Sequence, residues 1–159
     1  MNSFDLSAFL PYRLAVLSER ISRRLAQEYG RSHGISLPEW RVLVHLARCK
    51  QASVREIHDY ANLEKPRVSR TVAKLQKAGL VRKIANRRDS RLVEISLTEQ
   101  GRTVLGEIVT VATEFESRLV QVLSNEELAT LLGIAEKLHS VLDNDPLAPK
   151  RSSLDKPAD

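Results

Sequence analysis

Three arginines, Arg87, Arg88 and Arg91, crowd around one aspartate, Asp89, in the segment NRRDSR. Like charges at that density repel one another until something anionic is brought to them. A second set lies upstream, where Arg67, Ser69, Arg70, Thr71 and Lys74 recur at helical spacing. On a helix that spacing is read as gathering Arg67, Arg70, Thr71 and Lys74 on one face. Guanidinium and ammonium groups presented together suit phosphate oxygens and the O6/N7 edge of guanine, and Ser69 adds a hydroxyl for a phosphate or a base edge. Nothing for bond-breaking chemistry accompanies them. The sequence has no phosphate loop, nucleophile elbow or dinucleotide fingerprint. Its histidines, His33, His45, His58 and His139, lie far apart without metal-ligand spacing. Binding of a polyanion is expected, with no catalytic residues, no cofactor and no metal.

The elements that must position these groups are legible from caps and periodicity. Ser36-Leu-Pro-Glu39, Ser53-Val-Arg-Glu56 and Ser124-Asn-Glu-Glu127 each match the capping box, and Thr98 suits the start of another helix. Apolar spacing then predicts helices near 7–31, 37–49, 54–61, 65–78, 99–122 and 125–142. Two short alternating segments at 80–84 and 92–97, separated by ANRRDSR, predict a hairpin with a polar tip.

In the middle of the chain a short helix turns Val54, Ile57 and Ala61 inward, and Asn62 suits the left-handed turn that follows. Pro66 then falls in the first turn of the next helix, whose stripe is Val68, Val72 and Leu75 and whose C-cap is Gly79. Two short helices, the second carrying a cationic face, make a helix-turn-helix, and the basic hairpin directly after it makes a winged helix. A cationic face alone is ordinary on a surface helix. Joined to a basic wing, it points to DNA, with the helix in one groove and the hairpin tip at the adjacent minor groove or backbone.

The stretch from Asp89 to Gly101, DSRLVEISLTEQG, fits the pattern D-x-R-x(5)-L-T-x-x-G and resembles the MarR-type winged-helix regulators. VSRTVAKLQKAGLVRK is similar to that family's recognition helix and first wing strand, and ISLPEWRVLVHLA to its second helix. The likeness spans roughly residues 8–142. It implies a homodimer with interlocked terminal helices, each winged helix reading one half of a palindromic operator in double-stranded DNA. It also implies that Asp89 orients the wing arginines and that Arg91 or its neighbours reach the minor groove.

The expected fold is mainly α with a small β-wing. A winged helix-turn-helix domain occupies 36–98. Helical dimerisation segments at 1–35 and 99–142 flank it, and the tail at 143–159 is expected to be disordered. Leu10 and Leu14 head an apolar stripe on the first helix. Val111, Phe115, Leu119, Leu131 and Leu138 belong to stripes on the last two, too long for so small a monomer to cover alone. Along the edge of the first stripe Arg13, Leu17, Arg20 and Arg24 share a narrow arc. The arc is read either as holding a small anionic effector, such as an aromatic acid or acyl-CoA-like thioester, or as arginines that snorkel or pair with acids of the long fifth helix such as Glu107 or Glu114. Trp40 is read either as lining that ligand site or as core.

The net charge of +5 is unevenly spread. Residues 53–91 hold 11 Lys+Arg against 4 Asp+Glu, whereas residues 92–159 hold 6 against 12, as expected of a polyanion-binding centre on a separate scaffold. Aromatics at 4% argue against base-stacking platforms. The lone Cys49 forbids an intrachain disulfide and suits a reducing compartment. It is expected to be half-buried and inert, although Arg48 and Lys50 beside it leave a redox-responsive repressor as an alternative. Pro11 and Arg13 make the N-terminus a poor signal peptide, and no apolar run spans a bilayer, so a cytoplasmic protein is expected. The leading reading is a dimeric transcriptional regulator, a repressor released by its effector. Alternatives are an effector-independent architectural DNA binder and a winged-helix protein adaptor.

Overall fold

The computed structural model describes residues 4–61, 63–85, 93–149 and 151. Its elements run α1 (Leu10–His33), α2 (Leu37–Cys49), β1 (Gln51–Ser53), α3 (Val54–Ala61), α4 (Lys65–Lys77), β2 (Val81–Ala85), β3 (Val93–Leu97), α5 (Glu99–Val120) and α6 (Asn125–Asp143). All six helices and both hairpin strands expected from the sequence are present. The molecule is mostly helical, with one antiparallel sheet of order β1-β3-β2.

The caps explain why these boundaries fall where they do. Glu56 accepts from the Ser53 amide at 2.7 Å and returns its own amide to the Ser53 hydroxyl at 3.2 Å. Ser124 and Glu127 repeat the exchange at 2.7 and 3.1 Å. Glu39 accepts from the Ser36 amide at 2.7 Å. Each pair satisfies amides that a helix start leaves orphaned.

Two details differ from expectation. The first helix begins at Leu10 rather than near residue 7, because Pro11 has no N–H to give and is tolerated only in a first turn. Upstream of it, the Asp5 carboxylate instead gathers the Ser7 amide and hydroxyl into a turn at 2.9 and 2.7 Å. The strand β1 is not foreshadowed in the sequence, since three residues are too few to show alternation. It exists through its partner, with Ala52 opposite Ile95, and is reached from α2 through Lys50 at φ +62°. A lysine there is strained, so the sharp exit from α2 is held by the pairing that follows.

The core lies between α2, α3, α4 and the sheet. Val42, Leu43, Leu46, Ile57, Val68, Val72, Leu75 and Ile95 are all essentially without solvent contact. Tyr29 of α1 and Leu105 and Ile108 of α5 close one side. Past Ile108 nothing on α5 is buried, α6 buries nothing at all, and every residue of α1 as far as Arg20 is exposed. Beyond Asp143, a region expected to be disordered, turns follow at 145–148 and Arg151 grips the Glu136 carboxylate at 2.8 and 2.5 Å. The rest of that tail lies outside the described residues.

Tyr29 yields a stability test. Its ring stacks on Trp40 with centroids 5.5 Å apart, and its buried hydroxyl has no hydrogen-bond partner among the described residues. Burial pushes the phenol up to about 12, although the positive charge of Arg41 pulls the other way. Above the usual value of 10 the unfolded chain ionises and the folded one does not, so stability falls as pH rises from 10 towards 12. Wild type is therefore expected to lose about 1.4 kcal/mol more than Tyr29→Phe between roughly pH 9 and pH 11. At neutral pH the two should be equal, or phenylalanine slightly better. Urea unfolding at the two pH values checks this, and parallel losses would refute it.

Candidate nucleic-acid interface

Helix α4 begins after Glu64, with Pro66 in its first turn. Its N-terminus is held to α3 by the ring of His58, whose Nδ1 lies 2.5 Å from the Leu63 carbonyl and donates to it. Asn62, expected to make the turn between the two helices, lies outside the described residues. Val68, Val72 and Leu75 anchor the helix in the core as expected, so its other side is turned out of the protein.

At the C-terminus Gly79, at φ +75°, closes the helix. Its amide donates to the Gln76 carbonyl and that of Leu80 to Leu75, both at 3.0 Å, which is the Schellman arrangement. The carbonyls of this turn then receive the start of α5. Thr98 donates its hydroxyl to Gly79 at 2.6 Å and its amide to Leu80 at 3.0 Å. The same hydroxyl accepts from the Gly101 amide at 2.9 Å. The Leu-Thr-x-x-Gly motif is thus a clasp joining the end of α4, the base of the wing and the first turn of α5.

Arg67, Ser69 and Arg70 project from the outward face of α4, all exposed, with Ala73 and Lys77 beside them. The Arg70 Nε reaches back to its own helix, donating to the Pro66 carbonyl at 3.3 Å. No acidic side chain pairs with Arg67 or Arg70 among the described residues. Thr71 departs from expectation, being only 8% exposed. At 100° per residue it lies about 60° from Val68, inside the margin of the buried stripe. It is part of the packing and not of the cationic face. Lys74 is exposed but engaged, with its ammonium 3.1 Å from the Glu39 carboxylate of α2. Burial pushes Glu39 up, but the Ser36 hydroxyl and amide and the Lys74 ammonium together hold its carboxyl below the usual value.

The wing rises beside α4. β2 and β3 pair from Val81 opposite Leu97 to Ala85 opposite Val93. Arg82 and Lys83 are exposed on β2, and the Arg82 Nε donates to the Ser96 hydroxyl at 3.2 Å. Sequence reasoning does not single out these two cations, although their place in a basic hairpin is signal enough. The tip residues Arg87, Arg88, Asp89 and Arg91 lie outside the described residues.

The candidate ligand residues are only partly brought together. Arg13, Leu17 and Arg20 line an open groove of about 470 Å³ along α1, with Leu10 and Leu14. Trp40 is not among its lining residues. It packs on Tyr29 against the core, the second of the two readings offered for it. The arginines of this arc do not pair with Glu107 or Glu114. Glu107 accepts from His33 at 2.7 Å, and Arg24 binds Glu28 at 2.8 Å while its guanidinium lies 5.9 Å from the Phe115 ring centroid. Cys49, expected to be half-buried, is exposed, with its Sγ 3.9 Å from Nδ1 of the buried His45. It closes the last turn of α2, where the core ends. Among the described residues no group of three His, Cys, Asp or Glu could hold a metal ion. No described helix is long and apolar enough to cross a membrane.

The fold and part of the sequence are shared with known proteins. The MarR family model matches residues 33–92, which run from the end of α1 to the wing tip. Among curated proteins, the HTH-type transcriptional regulator BilQ of Clostridioides difficile (strain CD3) is 28% identical over 69 residues. That stretch is 43% of this chain and 47% of BilQ, so the match spans about half the length of each. The MarR family transcriptional regulator SPO1453 of Silicibacter pomeroyi DSS-3 is 30% identical, with a TM-score of 0.76 over 89% of this chain and 100% of that one. A cysteine-to-serine mutant of MarR from E. coli, complexed with operator DNA, shares the fold at 19% identity, with a TM-score of 0.76 over 87% and 99%. With 30% identity to SPO1453 and the fold in common over 89% of this chain and the whole of that one, the chain belongs to the MarR family of transcriptional regulators.

Proposed function

We propose that the protein is a homodimeric, sequence-specific DNA-binding repressor that a small anionic ligand releases from its operator. The observation that carries the DNA reading is the outward face of α4, where Arg67, Ser69 and Arg70 stand exposed with no acidic partner for either arginine among the described residues. Backed by a buried stripe and stopped by a clasp, that face has the size and charge to enter a major groove. On this reading the winged unit at 36–98 holds the reading surface. Arg87, Arg88 and Arg91 of the wing contact the minor groove or phosphates, with Asp89 orienting them.

The segments at 1–35 and 99–142 serve dimerisation. Support comes from the large apolar side chains left uncovered there, with Leu10 at 52% and Leu131 at 53% exposed and Leu14, Leu119 and Leu138 likewise open. Val111 and Phe115 of the same stripe are half-buried. A patch of that extent on one chain is expected to be buried by another, and a two-fold partner presents the same stripe in return. In such a pair the α1 groove with Arg13, Leu17 and Arg20 lies near the subunit boundary. An aromatic acid or acyl thioester held there would act by preferring the non-binding spacing of the two reading helices.

The test is fluorescence anisotropy with a duplex taken from upstream of the protein's own coding region, beside a random duplex, at two salt concentrations. Preference for the upstream duplex by about a thousandfold or more, at two chains per duplex, is the expected result. Release by benzoate-type acids or by their coenzyme A thioesters is expected to follow. Equal affinity for both duplexes would leave an architectural DNA binder instead. The exposed Cys49 beside His45 favours one second reading, release by oxidation. Peroxide-induced release that Cys49→Ser abolishes would put it ahead.

A further inference from the structure

We propose that Glu39 and Lys74 form a tether between α2 and α4, so that Lys74 positions the reading helix and does not itself contact DNA. This rests on the DNA-binding reading above. The Glu39 side chain is only 5% exposed. Its Oε2 accepts from the Ser36 amide at 2.7 Å and from the Ser36 hydroxyl at 2.5 Å, which accounts for that oxygen as a helix cap. Its Oε1 faces the Lys74 ammonium at 3.1 Å, and capping has no need of that contact. The two other capping boxes are an internal comparison. Glu56 and Glu127 are exposed, and neither pairs with a lysine or arginine among the described residues. One glutamate of the three is buried, and it is the one that reaches the reading helix.

The position of Lys74 on α4 gives the contact its consequence. Seen down the helix axis, Lys74 falls between Arg67 and Arg70. A restraint there fixes the rotation of the face that carries both arginines. An ammonium drawn away to a phosphate would leave a carboxylate without its cation where water scarcely reaches, so the two roles compete. The Lys74 side chain is 67% exposed and can follow its head group, which makes the buried carboxylate the fixed end of the pair.

Lys74→Met, Glu39→Gln and the double variant decide the matter through binding to the upstream duplex over a range of salt. Each single change is expected to weaken binding on the order of tenfold with the salt slope preserved. The double variant should bind no worse than the weaker single. In the free protein, amide hydrogen exchange across residues 68–75 should quicken in both singles. The tether is overturned if Lys74→Met flattens the salt slope by about one unit while Glu39→Gln binds and exchanges as wild type. Should Glu39→Gln fail to fold, Lys74→Met, altered only at an exposed side chain, decides alone. Should wild type bind no duplex, the DNA reading fails, and the exchange rates still decide the tether.

Discussion

Gly101→Ala is expected to destabilise the protein by about 3 kcal/mol, lowering its melting temperature by roughly 6–12 °C. A Cβ at this position would stand 2.0 Å from the Leu80 carbonyl oxygen and 2.9 Å from its carbon. Both are backbone atoms of the turn that joins α4 to β2, so no side chain can swing aside. To make room, the first turn of α5 must lift from the α4–β2 turn, which stretches the Thr98 hydrogen bonds to Gly79 and Leu80 at 2.6 and 3.0 Å. Each neutral hydrogen bond broken there costs about 1 kcal/mol. Helix propensity, which favours alanine by about 1 kcal/mol, offsets only part of this. Gly106→Ala is the control, since it lies in the same helix with nothing within 4 Å of its Cβ position. It should be neutral or stabilising by up to about 1 kcal/mol. Urea and thermal unfolding of the two variants measure the difference, and a neutral Gly101→Ala would mean that α5 is not clasped to the reading unit.

The parts of this fold that are legible in the sequence are those fixed by local rules. Helix starts follow from serine–glutamate pairs and from Thr98, and the end of α4 from Gly79, because caps are satisfied within a few residues of where they stand. What escapes depends on partners distant in the chain. β1 is a strand only because β3 lies beside it, and the ion pair of Lys74 is hidden from the sequence because its partner Glu39 lies on another helix. Glu39 itself is explained by capping, which hides its second oxygen. Thr71 is an error of a different kind. Grouping residues by their spacing from Arg67 overlooks that the buried stripe has width, and a threonine beside Val72 falls within it. Trp40 joins the arginine arc only by analogy, and the packing of α1 on α2 turns it to Tyr29 instead. The wing tip, the clearest signal in the sequence, lies outside the described residues, so Arg87, Arg88 and Arg91 rest on their spacing and on the family alone.

That leaves Arg67 and Arg70 to carry the strongest test. The double variant Arg67→Glu, Arg70→Glu is expected to bind the upstream duplex on the order of a thousandfold more weakly than wild type, and more weakly still at low salt. A base-reading arginine is worth about 1–3 kcal/mol, and reversing its sign adds repulsion from phosphates that a neutral replacement avoids. Removing a cation that sits on a phosphate flattens the log–log salt slope by about one unit, so single variants sort the pair. The arginine that reads a base should relax specificity at one position, and the one that meets a phosphate should weaken all sequences alike. Stability separates this from damage to the fold. Both side chains are exposed and make no ion pair with a described residue, so unfolding should shift by no more than about 0.5 kcal/mol. Lys137→Glu separates it from bulk charge, since it reverses one cation on exposed α6 and should change affinity little. Were the α6 variant to lose as much affinity as an α4 single, binding would follow net charge, and α4 would have no special claim as the reading helix. Weakening confined to α4 with stability intact is what the helix's build requires, because its buried stripe fixes the fold and leaves the outward arginines free for the groove.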